Sequence, residues 1–241
     1  MILIAKRKRL IFIIFTCLLA LSLFLHHEKS ENVFSSKQTR RIVIDAGHGL
    51  PDGGAVGMNG TIESTLNIKI AKLVEKSLAK KGYTVIMTRT DESAVSDEGK
   101  NLAQRKRSDM YKRLETINSS DADMFVSIHM NKFTDSRYKG AQVIYSDNFT
   151  QSEQLAAFIQ KRLCELQENT SKRTHSKAPS GIFLLKNAKI PALIVECGFL
   201  SNYDEEKLLN TPQYHKQLCT AIVKGIEDYY KKYENENIEG A

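Results

Sequence analysis

Three short apolar runs, far apart in this 241-residue chain, each stop at an ionisable side chain. Ile42-Val43-Ile44 leads into Asp45-Ala46-Gly47-His48-Gly49. Met124-Phe125-Val126-Ser127-Ile128 ends at His129, and Ala192-Leu193-Ile194-Val195 ends at Glu196. Runs of this length and make-up read as buried strands. The glycines beside His48 allow a sharp turn that sets the histidine at the strand's carboxyl end. That edge is where open α/β sheets bind ligands. Glu63, at the start of a long amphipathic helix, lies between the first two runs. Two histidines and two glutamates, none adjacent in sequence, are therefore expected to meet at one edge of one sheet. Such a set suits a zinc site with a general base.

The connecting segments support an α/β reading. From Glu63 the residues Leu66, Ile70, Leu73, Val74 and Leu78 form a helical stripe, lysines crowd the last turn and Gly82 stops it. Tyr83–Met87 reads as the next strand, which completes a βαβ unit and implies parallel order. A helix over Leu102–Ile117, a strand over Ala141–Tyr145 and a helix over Leu155–Leu166 follow. Next come a polar loop at 167–181, a short strand over Ile182–Leu185, an acidic turn or helix over Asn202–Leu209, and a last helix over about Pro212–Tyr230. The expected fold is a single α/β domain, a mostly parallel sheet flanked by helices, behind an N-terminal hydrophobic segment.

Residues 1–27 read as a signal peptide or membrane anchor, with Lys6, Arg7, Lys8 and Arg9 ahead of the uncharged, apolar Leu10–Leu25. Residues 28–40 read as a polar linker, 41–230 as the catalytic domain and 231–241 as a frayed, flexible tail. The net charge of +7 owes four units to that basic start. There is no Lys/Arg stripe interleaved with aromatics, which argues against nucleic acid, and Arg105-Lys106-Arg107 reads as a solvated helix face. Of the four cysteines, Cys164, Cys197 and Cys219 lie beyond the targeting segment without a CxxC. Their spacing excludes a cysteine-built structural zinc site and suits buried thiols. The loop with Gly53, Gly54, Gly57 and Gly60 has neither GxxxxGK[ST] nor GxGxxG, so it reads as a flexible rim rather than a phosphate cradle.

Taken singly, each candidate has a plain explanation. His48 could be a turn histidine, His129 a satisfied core histidine, and Glu63 an acid favoured by the helix dipole. Glu196 is harder to dismiss, because a carboxylate after four apolar residues is costly to bury unless paired, protonated or near a metal.

Four motifs in order, DAGHG at 45–49, Glu63, SIHMN at 127–131 and VECGFLSN at 195–202, resemble the zinc-dependent type 3 family of N-acetylmuramoyl-L-alanine amidases over roughly residues 41–230. The single domain behind a hydrophobic segment, with Leu102–Arg105 and Arg113–Asn118, resembles the germination-specific, spore-cortex subgroup. The resemblance implies one Zn2+ held by His48, Glu63 and His129, with Glu196 as catalytic base. It implies hydrolysis of the amide between N-acetylmuramic acid and L-alanine in peptidoglycan, as the step before muramic-δ-lactam formation. It further implies an exported, extracytoplasmic enzyme, secreted or held to the membrane by the N-terminal segment, in the forespore or cortex compartment. With no wall-binding repeat evident, an exported protein partner that activates the enzyme or supports zinc binding is expected. Other zinc hydrolases carry HxxE or HExxH, and neither occurs here at a strand end. The remaining alternative is a catalytically inactive wall-binding or scaffold protein that keeps the fold. Loss of one of the four site residues would mark it, and all four are present.

Overall fold

The computed structural model describes residues 39–166 and 173–239. The expected N-terminal targeting segment, most of the linker and residues 240–241 lie outside the described residues. Among the described residues no helix is long and apolar enough to cross a membrane.

The strands are β1 (Arg41–Ala46), β2 (Thr84–Met87), β3 (Met124–Asn131), β4 (Gln142–Tyr145), β5 (Ser176–Lys177) and β6 (Ala192–Phe199). They form one six-stranded sheet in the order β2-β1-β3-β6-β4-β5. Pairing is parallel except between β4 and β6. The chain steps from β1 outward to β2, then returns across to β3 on the other side of β1. The order therefore reverses between β1 and β3, and a crevice at their carboxyl ends is the expected binding place in an open α/β sheet.

The helices are α1 (Glu63–Lys80), α2 (Leu102–Ser119), α3 (Thr150–Leu166), α4 (Phe183–Asn187), α5 (Tyr203–Leu209) and α6 (Pro212–Glu239). Alternation along the strands splits the core in two. Ile42 and Ile44 of β1 join Val126 and Val195 in a cluster completed by α1, α3 and α6. Val43 joins Phe125, Ala192 and Ile194 in a second cluster beneath α2 and α4. Each strand thus feeds both faces, which is why these runs are continuously apolar.

Three expectations are corrected. Ile182–Leu185 is not a strand: Phe183–Asn187 is a helix. Leu184 and Leu185 are both buried in this turn. The carbonyls of this turn are taken by Ser146, whose hydroxyl donates to Leu185 O (2.7 Å), and by Asn148, whose Nδ2 donates to Lys186 O (3.0 Å). The last helix does not end near Tyr230, because α6 runs on to Glu239. Tyr233 continues its apolar stripe, packed on Tyr229 at 4.8 Å between ring centroids. Nor is the glycine-rich loop a loose rim. Helix α1 has no side-chain cap, and the loop's carbonyls cap it instead: Glu63 N donates to Ala55 O (2.9 Å) and Ser64 N to Gly53 O (3.0 Å). Buried Glu206 of α5 then accepts from Asn59 N, Asn59 Nδ2 and Thr61 N and pins the loop's far end.

Candidate active site

On the α2 side, three successive rungs of the sheet change character toward the carboxyl edge. Val43, Phe125 and Ala192 are aligned and apolar. Asp45 and Ser127 then align with Ile194, and Gly47 follows beside aligned His129 and Glu196. Gly47 N donates to Ile128 O (3.1 Å), which keeps the turn in line with the sheet. A Cβ on Gly47 would run into the His129 ring, so glycine is required for the imidazole to lie over the end of β1. Gly54, at φ +73°, is required for a similar reason, because a Cβ there would sit 2.5 Å from Glu63 Oε2.

His48, Glu63 and His129 are brought together. Each offers a ligand atom within 4.8 Å of the others. Glu63 is the hub: Oε1 faces His129 Nδ1 at 2.9 Å and Oε2 faces His48 Nε2 at 3.3 Å. The same carboxylate accepts from Met130 N (3.1 Å) and Ala55 N (2.8 Å). Glu63 is 4% exposed, whereas each imidazole is 20% exposed, so the cluster opens to solvent on the histidine side. Burial opposes the Glu63 carboxylate, but the hydrogen bonds from His129 and His48 outweigh it and hold its pKa far below the usual range. Burial likewise opposes a charged His48, yet Glu63 and Asp52 outweigh it and raise its pKa.

Glu196 stands apart. It is aligned with His129, but its Oε2 is buried and has no hydrogen-bond partner. Burial pushes its pKa up to about 7, against the opposing pull of the His129 charge. This is an acid whose proton is easily gained and lost near neutral pH.

Several residues that shape the site escape a reading by motif. Asp52 Oδ2 shares a hydrogen bond with His48 Nδ1 (3.1 Å) and pairs with Lys106 Nζ (3.0 Å). The basic cluster on α2 is therefore not simply a solvated face: Lys106 reaches the site's rim. Below the rim lies a buried charge network. Arg113, 1% exposed, pairs with Asp45 and with Asp109, while Thr88 and Ser127 hydroxyls donate to Asp45. Burial would raise the Asp45 pKa, but Arg113 and the two hydroxyls keep it lowered. The signal for this network was available, since Asp45 follows a buried strand directly and must have a partner. Which cation would supply it was not readable. Cys164, Cys197 and Cys219 are free thiols, the first half-buried and the other two buried, a pairing question that spacing leaves open.

The profile of a family described as N-acetylmuramoyl-L-alanine amidase matches residues 42–228. Over 190 residues the chain is 37% identical to the germination-specific N-acetylmuramoyl-L-alanine amidase of Bacillus subtilis (strain 168), which covers 78% of this chain and 79% of that protein. Among solved structures, the CwlD amidase from Clostridioides difficile, in complex with the GerS lipoprotein, matches with a TM-score of 0.77 at 37% identity. That match covers 80% of this chain and 99% of that one. An N-acetylmuramoyl-L-alanine amidase from Clostridium difficile 630 gives 0.71 at 28% identity, over 81% and 98%.

Proposed function

This chain belongs to the N-acetylmuramoyl-L-alanine amidase family and is a cell-wall amidase, and from that premise we propose that His48, Glu63 and His129 hold one zinc ion and that Glu196 carries the proton. The residues fit such an ion. Two imidazoles and one carboxylate are the donor set of many catalytic zinc sites, and the buried, unpartnered Glu196 Oε2 lies in the same rung as His129. A zinc ion held by these three residues would supply Lewis-acid polarisation of the scissile carbonyl and a more acidic water.

The chain's own residues do the rest. Glu63 faces both imidazoles, one with each oxygen, so the three side chains converge on one point, and Asp52 sets the orientation of the His48 ring. Glu196 takes the proton of the attacking water and returns it to the leaving amine of L-alanine. The apolar strand behind Glu196 leaves its free oxygen no competing donor. The products are a glycan strand with a free lactyl carboxylate and a released stem peptide. The unpartnered Glu196 oxygen beside a three-ligand cluster is the observation that carries this reading.

We place the activity outside the cytoplasm, in spore cortex maturation before muramic-δ-lactam formation, with export directed by residues 1–27. The likeness to a germination-specific amidase supports the cortex role, and the GerS lipoprotein bound to the CwlD amidase supports an exported partner for this chain. The test is mass spectrometry of purified peptidoglycan after incubation with residues 28–241 and zinc. Free stem peptides beginning with L-alanine are expected. Intact muropeptides, with and without a candidate partner, would leave only the fold.

A further inference from the structure

His48 is a non-glycine residue in the left-handed backbone region, at φ 59°. Such conformations are uncommon outside glycine and persist where the surroundings over-determine them. Here two buried arginines take up the carbonyls on either side. Arg113 Nη1 donates to Ala46 O (2.9 Å) and its Nη2 donates to His48 O. Arg89, 5% exposed, donates from Nε to Ala46 O (2.7 Å) and from Nη2 to Gly47 O (3.0 Å) and Ser64 O (2.9 Å). Asn67 Nδ2 adds a second donor to Gly47 O (2.9 Å). Three consecutive carbonyls of the turn, and one at the start of α1 next to Glu63, are thus held by two guanidiniums from separate elements.

We propose that Arg113 and Arg89 are positioning residues for metal capture, clamping residues 46–48 so that His48 keeps its left-handed backbone and presents its ring to Glu63 and His129. The inference rests on the metal-centre reading above and goes beyond it by naming what assembles that centre. Arg89 ties the β1 turn to the first residues of α1, and so fixes the His48 backbone relative to that of Glu63. Arg113 anchors the turn to α2, with its own charge neutralised by Asp45 and Asp109. Lysine cannot serve two carbonyls in this fork geometry. Arg113→Lys and Arg89→Lys each keep the charge and remove the clamp.

The experiment measures the zinc dissociation constant by chelator competition, together with the thermal midpoint of the metal-free protein. The full chain is used with Arg113→Lys, Arg89→Lys, Thr88→Val and His48→Ala. Thr88 donates to Asp45 but to none of the three carbonyls, so Thr88→Val disturbs the network without touching the turn. Both arginine variants are expected to weaken zinc by about 10–100-fold, as partners behind metal ligands typically do. Thr88→Val should lower the midpoint while leaving the zinc constant near the parent's. Parent-like zinc binding in the arginine variants, with His48→Ala deficient, overturns the clamp alone. Equal weakening by Thr88→Val overturns it too, by reducing the effect to general stability. Zinc retained by His48→Ala overturns the metal centre and the clamp with it. If Arg113→Lys does not fold, Arg89→Lys decides, because it leaves the Asp45–Arg113 pair in place.

Discussion

The two glutamates of the site occupy opposite environments within one cluster of strand ends. Every oxygen of Glu63 is engaged, by two imidazoles and by the backbone amides of Ala55 and Met130. Glu196, in register with His129, keeps one buried oxygen with no partner at all. Their pKa values move apart accordingly, Glu63 well down and Glu196 up to about 7. A carboxylate fixed by two backbone amides, with an imidazole facing each oxygen, is suited to hold a cation in place. One that is dry and unpartnered is suited to exchange a proton. Neighbouring titratable groups driven apart in this way mark a division of roles.

The comparison is broken most severely by exchanging what each glutamate can do. Glu196→Gln should leave zinc bound and the fold intact while amide cleavage falls by at least about 10²–10⁴-fold. Glu63→Gln, like His48→Ala and His129→Ala, should instead drop bound zinc well below one per chain. Elemental analysis beside a cleavage assay separates the two outcomes. Zinc lost from Glu196→Gln but kept, with activity, by Glu63→Gln would mean the roles are reversed.

A smaller effect is expected one shell out. Asp52→Asn keeps the shape but removes the charge that steadies His48, and zinc affinity should weaken by about 10–100-fold. Lys106→Ala, which removes only the exposed partner of Asp52, should change it far less. If the two variants match, His48 is oriented by the ion pair as a whole and not by the carboxylate.

The smallest effect sharpens the comparison through pH. Glu196 has a folded pKa raised from 4.5 to about 7. Between those values the folded, metal-free protein binds more protons than the unfolded chain, so Glu196 makes stability fall as pH rises through that window. The difference in melting temperature between parent and Glu196→Gln, both without metal, should therefore change steadily from about pH 4.5 to about pH 7 and level off above. A flat difference would show that the carboxyl is ionised throughout, and the contrast with Glu63 would vanish. Bound zinc should move the window down, because a nearby cation favours the carboxylate.

Much of this molecule is legible in one dimension. The strands over Arg41–Ala46, Met124–Asn131 and Ala192–Phe199 follow from continuous apolar runs, which only strands covered on both faces can use. The amphipathic period of Glu63–Lys80 is equally plain. The meeting of His48 and His129 follows from parallel order, since strand ends of like direction share an edge, and Glu63 joins them from the first turn of α1. Misreadings fell where local pattern is weakest. Ile182–Leu185 is a four-residue apolar run that periodicity alone cannot assign, and its helix is decided by Ser146 and Asn148 from another segment. Past Tyr230 the helix continues with Tyr233 packed, partly buried, against the core cluster.

What the amino-acid order determined by itself is which residues can do chemistry and at which strand ends they stand, because side-chain period and turn glycines are local properties. What only the tertiary structure decided is the state of those residues. The exposed-looking basic helix surrenders Arg113 to Asp45 and Lys106 to Asp52. The glycine loop caps the Glu63 helix, and Glu206, 147 residues from Asn59, pins it in place. Charge is neutralised and side chains are oriented by neighbours in space. Those neighbours come from segments whose separation along the chain carries no trace of their contact.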